Sequence, residues 1–445
     1  MTFVDSFTQP YMEFIGSPSC AFGGSGALIR RYSRLQNGRG LDKYSILVVK
    51  HPDDDPSAGS EIKSSSMSKS LDAFVSDSVD EIARVITPQT HVVMISGAQY
   101  YSDHRIVTLC DELVQSGRRV FVTAVTLKNE GTPYNFAGEL SAIADVHTYR
   151  RPPCYGTDCE NLASRSWFPR DDTRSRPFCY KHYPLVDRKS FASHNSGQVG
   201  LFRMNVGSMF AEKTEEAAQV STQVLTSQLW FRYKGDNRRG DENCVKTFND
   251  TAVEAVVAGS PQEIYDVTLD RRLREITIDE PFFFGEGIAN VIRDLVLKGT
   301  VVNTASVTLS FINTPLPSPA IPETARMLAF ADEVHDCYAF CNNHFAHGSC
   351  GHPATRSQLV HIHSGEVVVP ESAQKKDLII VGDSVERESS KQKEIRQGYY
   401  ASCKKHFTIL EYPSPTFSFP PIENPLVPVW DCSSMYLHDS PKRNV

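Results

Sequence analysis

Short apolar runs recur along the chain, each closed by a turn or a polar stretch. They read SILVVK at 45–50, HVVMISGAQYY at 91–101 and RVFVTAVT at 119–126. A second set reads QLWFRYK at 228–234, EITIDEPFFF at 275–284 and TVVNTASVT at 300–308. Such runs predict strands, and the helical stretches between them predict parallel sheets flanked by helices, the α/β class. The polar segments 53–78 and 236–261 are expected to be rich in loops, and 374–397 reads as a charged insertion.

The two sets are one pattern written twice. Residues 14–31, FIGSPSCAFGGSGALIRR, share a layout with 202–220: a strand, a turn of small residues and a helix start. Ala144-Asp145-Val146-His147 answers to Ala331-Asp332-Glu333-Val334-His335, each ten residues from its alanine to a cysteine, Cys154 or Cys341. Each half closes on a C-x-x-H, Cys179/His182 and Cys403/His406. From the loop to the first cysteine, the offset between halves stays within roughly 181–189 residues, a register that marks an internal duplication. The expected domains are 1–185 and 200–408, with a linker at 186–199 and a tail at 409–445. The tail, rich in proline and aromatics, cannot form a central strand or helix. It is expected either to lie extended on a surface or on a protein partner in a larger assembly, or to be disordered.

Composition adds limits. A chain of 445 residues exceeds one ordinary domain. Hydrophobic content of 40% with 22% charge is that of a soluble globular protein. The net charge of −7 gives no reason to expect nucleic acid as a partner. No apolar run is long enough to span a membrane, and the N-terminus does not read as a secretory signal. Eleven cysteines, an odd number, suggest a reducing compartment, so the expected location is cytoplasmic.

The candidate chemistry centres on 205–214, NVGSMFAEKT. Following a strand and preceding a helix, it meets the phosphate-binding pattern G-x-x-x-x-G-K-[ST] at Gly207, Lys213 and Thr214. It fails at Glu212, where a glycine would let the backbone approach a phosphate. The first half has Gly24 where the lysine belongs, although Ser25 keeps a hydroxyl. Its strand end carries Ser96 and Gly97 where the second half has the acids Asp279 and Glu280. Cysteine and histidine pairs suit one structural zinc per half: Cys154/Cys159 with Cys179/His182, and Cys341/His344 with Cys403/His406. Cys337, Cys350 and His352 compete with His344 for the last place.

The ordered set of motifs resembles the thymidine kinase family of the small, zinc-containing type II kind. The matching residues are VGSMFAEKT, then Lys234, Asp236 and Arg238, then IDEPFFF, ADEVHDCYAFCNNH, and Tyr399 with Cys403 and His406. The resemblance implies two tandem P-loop domains, each with a zinc-binding lasso subdomain. It implies phosphate contact by Lys213 with Gly207, magnesium held by Thr214 and Asp279, and Glu280 as base on a sugar 5′-hydroxyl. Asp236 and Arg238 match the family's D-x-R, while Met209, Phe283 and Tyr399 match its thymidine pocket and Leu309, Thr355 and the stretch 380–382 do so more loosely. Phe282 stands where the family has glutamine, and the lasso segment 310–324 carries four prolines. The expectation is a thymidine-kinase-like pseudoenzyme, dead in its first half and impaired by Glu212 in its second. The alternatives are an active thymidine kinase using ATP and Mg2+ through the second half, or a nucleotide sensor without catalysis.

Overall fold

The computed structural model describes residues 10–37, 45–64, 69–167, 175–183, 200–208, 211–223, 228–236, 243–246, 252–307, 321–341, 353–361, 384–385, 397–403 and 416–422. The first half runs β1 (Met12–Ser17), α1 (Gly24–Asn37), β2 (Ile46–Lys50), β3 (Glu61–Lys63), β4 (Ser70–Asp72), β5 (Phe74–Val75), α2 (Val79–Val85) and β6 (Val92–Ser96). It continues through α3 (Arg105–Gln115), β7 (Arg119–Val125), α4 (Ala137–Ala142), β8 (Val146–Tyr149) and a hairpin, β9 (Arg165–Trp167) with β10 (Arg176–Phe178). The second half runs β11 (Leu201–Val206), α5 (Lys213–Gln223), β12 (Gln228–Tyr233), β13 (Cys244–Lys246), β14 (Ala252–Ala258), α6 (Pro261–Asp270) and β15 (Glu275–Asp279). Next come α7 (Ile288–Leu297), β16 (Val301–Val307), α8 (Pro322–Phe330) and β17 (Glu333–Asp336). Short antiparallel pieces close it: β18 (Ala339–Phe340), β19 (Pro353–Ala354), β20 (Arg356–His361), β21 (Ser384–Val385) and β22 (Gln397–Ser402).

The sheet of the first half has the order β5-β2-β6-β7-β1-β8, and every pairing in it is parallel. The second reads β13-β14-β12-β15-β16-β11-β17, parallel except for the edge strand β13. Aligning the repeats pairs β1 with β11, β2 with β12, β6 with β15, β7 with β16 and β8 with β17. The strand order is then the same in both halves. The middle strands β1, β6 and β15 are buried at every residue, as parallel strands covered by helices must be.

Three local expectations shift. β14, next to the edge strand β13, and the small strands β3 to β5 lie in segments whose polar composition reads as loop, because strands at the margin of a sheet need little apolar surface. The helix-like stretch that the sequence suggests over 215–228 begins two residues earlier, as α5 at Lys213. The run 275–284 does not continue as a strand. It ends at Asp279, Glu280 turns left-handed, and Pro281 opens a single 3-10 turn over Pro281–Phe284. A proline has no N–H for a ladder, so the strand stops there.

The halves share one interior. Leu127, Ala142 and Tyr180 of the first pack in the cluster that holds Phe202, Ile276 and Leu328 of the second. α4 and α8 meet so closely that a Cβ on Gly138 would lie 2.2 Å from the Ala325 carbonyl oxygen. The duplicated Ala-Asp is explained by a bond repeated in each half. Asp145 Oδ2 accepts from Met12 N at 2.9 Å, and Asp332 Oδ2 accepts from Phe202 N at 2.9 Å. Each aspartate ties the segment before its edge strand to the start of the half's first strand.

Candidate functional site

A strand, a left-handed turn and a helix start follow one another in each half. In the first half the backbone leaves β1, turns left-handed at Gly23 (φ 78°) and enters α1 at Gly24. In the second it leaves β11, turns left-handed at Glu212 (φ 52°) and enters α5 at Lys213. Glu212 thus occupies the backbone state that glycine adopts freely, at a cost of roughly 1–2 kcal/mol for a residue with a Cβ. Its side chain is exposed. Gly207 is required for a different reason: the backbone after β17 crosses it, and a Cβ there would lie 2.2 Å from the Cys337 carbonyl oxygen.

Lys213 is only 6% exposed, and its Nζ donates to the Ser208 carbonyl oxygen across the loop. Burial lowers its pKa to about 8 against the opposing pull of Cys337, Glu280, Asp279 and Glu215. The charges of both strand-end acids, Asp279 and Glu280, thus act on the second-half lysine. Asp279 ends β15 in a buried position and Glu280 follows in the left-handed state. Thr214 occupies the first turn of α5, and Asp236 is buried just after β12. Phe283 stacks on Tyr233, with ring centroids 6.2 Å apart, beside the buried Phe282 and Phe284. Met209, Arg238, Leu309, the stretch 380–382, His344 and His406 fall outside the described residues, and Tyr399 is described only as a backbone position on β22, opposite Leu359. Thr355 is placed elsewhere: its hydroxyl donates to Asp145 of the first half at 2.6 Å, so it belongs to the junction between the halves.

The first half keeps a cleft of about 370 Å³ around its loop, lined by residues 20–26 with Asp54, Lys63, Ser96 and Tyr100. Gly97 (φ 73°) is left-handed at the position where the second half has Glu280 (φ 44°), so both strand ends turn alike. Ser96 stands in for Asp279, but an acid reaches the same place from another element. Asp54, in the turn after β2, accepts from Ser96 Oγ at 2.6 Å, and burial raises its carboxyl above the usual range. The sequence reading finds no acid in this site. The only available signal was the run of three aspartates, Asp53 to Asp55, just past a strand's C-terminal end.

Cys154, Cys159, Cys179 and His182 converge, their ligand atoms all within 4.8 Å of one another. Cys154 Sγ and Cys179 Sγ each lie 3.5 Å from His182 Nδ1, and Cys159 Sγ lies 3.7 Å from Cys179 Sγ. A tetrahedral zinc with bonds of about 2.3 Å to sulfur and 2.0–2.1 Å to nitrogen separates its ligands by roughly 3.5–3.8 Å, so donor set and spacing both fit that ion. Backbone N–H groups of Gly156 and Cys179 point at Cys154 Sγ, at 3.3 and 3.2 Å, as they would toward a thiolate. Burial pushes the Cys179 thiol up to about 12, so an ion there must displace a proton. In the second half Cys341 and Cys403 share one buried cluster with Ala211 of the phosphate loop. Cys337 instead donates to Glu216 Oε2 at 2.9 Å.

Comparison with known proteins agrees with this geometry. The family model "Thymidine kinase" matches residues 11–168 and 200–407. A thymidine kinase of Mycoplasma genitalium is 29% identical over 208 residues, 46% of this chain and 81% of that protein. One from Bdellovibrio bacteriovorus is 27% identical over 173 residues, covering 38% of this chain and 78% of its own. A third, from Rhodothermus sp., is 29% identical over 182 residues, 39% of this chain and 77% of its own.

Proposed function

The chain belongs to the thymidine kinase family, and from that premise we propose that it is a thymidine-kinase-like pseudoenzyme whose two folds serve as a structural and interaction module. Glu212 carries the reading. It sits at the left-handed turn of the second loop and adds a Cβ and an exposed carboxylate to the surface that would cradle a polyanion. One such repulsion at about 4 Å is worth about 4 kcal/mol at an effective dielectric near 20. Micromolar binding is only about 8 kcal/mol in all. On this reading a Glu212 carboxylate turned toward the loop weakens its grip on a nucleoside triphosphate, whereas one turned out to solvent leaves that grip in place. The first half lacks the loop lysine, and Lys63 at the rim of its cleft is paired with Glu61 at 2.9 Å. Without a lysine at the loop position, a transferring phosphoryl group loses the preorganised charge that position would supply.

A second reading, an active thymidine kinase working through the second half, is favoured by the gathering of Lys213, Asp279 and Glu280 in one site. The separating experiment is a thymidine phosphorylation assay with ATP and Mg2+ on wild type, Glu212→Gly and Lys213→Ala. The pseudoenzyme reading expects no product from any of the three. Turnover by wild type that Lys213→Ala removes and Glu212→Gly raises would establish the enzyme instead.

A further inference from the structure

The segment 416–422, TFSFPPI, lies against the far end of the first half, at α3 and the turn from α3 to β7. Its contacts are side-chain specific. Glu112, 5% exposed on α3, accepts from the backbone N–H groups of Thr416 and Phe417, both at 2.9 Å. Phe417 is 8% exposed and joins the core cluster of the first half. Phe419 stacks on Phe417 with centroids 6.0 Å apart, and the fully buried Arg118 guanidinium lies over the Phe419 ring at 5.6 Å. Arg118 also donates to the Pro420 carbonyl oxygen at 2.9 Å. Ile422 Cδ1 comes within 3.3 Å of the place a Cβ on Gly117 would occupy, so that turn needs its glycine.

We propose that this face of the first half is a recognition site for an extended Phe-x-Phe-Pro-Pro peptide, and that its occupant is the protein's own tail bound in cis. The segment has the chemistry of a linear ligand. Proline-rich backbone is preformed and extended, so little conformational entropy is lost on docking. The two phenylalanines alternate toward the domain, and Ser418 between them is exposed. The reader residues are two buried polar groups of the first half. Each Glu112 carboxylate oxygen accepts from one N–H of the segment, while Arg118 is fixed by bonds to Thr87 O, Thr90 O and Ser116 Oγ and presents its remaining donor and its face to the segment. Docking brings the tail, which follows the second half in sequence, back onto the first half.

The test uses the full-length protein. A Phe417→Ala/Phe419→Ala double variant empties the groove, and a fluorescein-labelled peptide of residues 414–424, SPTFSFPPIEN, is titrated onto it and onto wild type. The emptied variant is expected to bind at least about 10-fold more tightly than wild type, because a tethered segment competes at an effective concentration near millimolar. Adding Glu112→Ala to the variant is expected to lose that binding by about 10-fold or more. A folded variant that does not bind, or that binds a peptide with both phenylalanines changed equally well, overturns the site. Peptide-induced dissociation of a wild-type dimer overturns the cis assignment. If the double variant does not fold, hydrogen exchange on wild type decides. The amides of Thr416 and Phe417 are expected to be protected at least about 100-fold, and exchange at unstructured rates overturns the proposal.

Discussion

At the scale of single residues, two positions in one loop respond oppositely to small changes. Glu212→Gly removes a Cβ from a left-handed residue, so stability is expected to hold or to rise by up to about 1 kcal/mol. Gly207→Ala puts a Cβ 2.2 Å from the Cys337 carbonyl oxygen and is expected to cost about 2 kcal/mol or more. Urea unfolding of the two variants beside wild type checks both. Lys213 adds a pH dependence of definite sign. Its folded pKa of about 8 is below the ordinary lysine value. Between the two values the unfolded state holds the extra proton, so this residue's contribution to stability increases with pH across that window. Any residual affinity for polyanions must run the other way, falling as the ammonium is lost above pH 8. Lys213→Met is expected to flatten both trends, read by thermal melts with and without tripolyphosphate from pH 7 to 10.

At the scale of elements, the metal lobe and the helix pair decide separate things. The hairpin of β9 and β10 lies between Cys159 and Cys179 in sequence and has little core of its own. Its order is expected to depend on zinc. Purified protein should carry at least one zinc per molecule, and a chelator, or Cys179→Ser, should lower the melting temperature of the first half, read by metal analysis and by melting. The α4–α8 contact works through backbone approach alone. Gly138→Val is expected to destabilise the junction by about 2 kcal/mol or more, since the Ala325 carbonyl oxygen cannot move without breaking its helix. The strands and the strand–turn–helix loops were legible in the sequence, because apolar runs and turn residues are local signals. β14 was not, because a strand near an edge is chosen by its neighbours.

At the scale of the whole molecule, a buried ion pair joins the halves. The His147 backbone N–H donates to Asp336 Oδ2 at 2.6 Å, its ring Nδ1 meets Asp336 Oδ1, and Nε2 lies 2.8 Å from the Ser141 carbonyl oxygen. Both ring nitrogens face acceptors, which favours the imidazolium. Burial pulls the pKa down, but the Asp336 carboxylate outweighs it and holds His147 above its ordinary value. A raised folded pKa means stabilisation that is complete below the unfolded value near 6.5 and lost as pH rises through the folded one. Melting of wild type relative to His147→Asn is therefore expected to show an advantage at pH 6 that shrinks toward pH 9. Arg356 and Thr355 of the second half reinforce the junction at Ile143 and Asp145 of the first.

The sequence by itself determined the duplication and the α/β class, and it singled out Cys154, Cys159, Cys179 and His182, whose ligand atoms converge in the fold. All of these are carried by spacing and by local pattern, which the order of residues records directly. Only the tertiary structure decided that Asp54 takes the place beside Ser96, that Thr355 serves the junction, and that Phe417 returns to the first half. Each of those contacts joins residues on separate elements, up to 305 positions apart in the case of Glu112 and Phe417. Their partners are set by how the two sheets pack, and no local pattern in either segment specifies that packing.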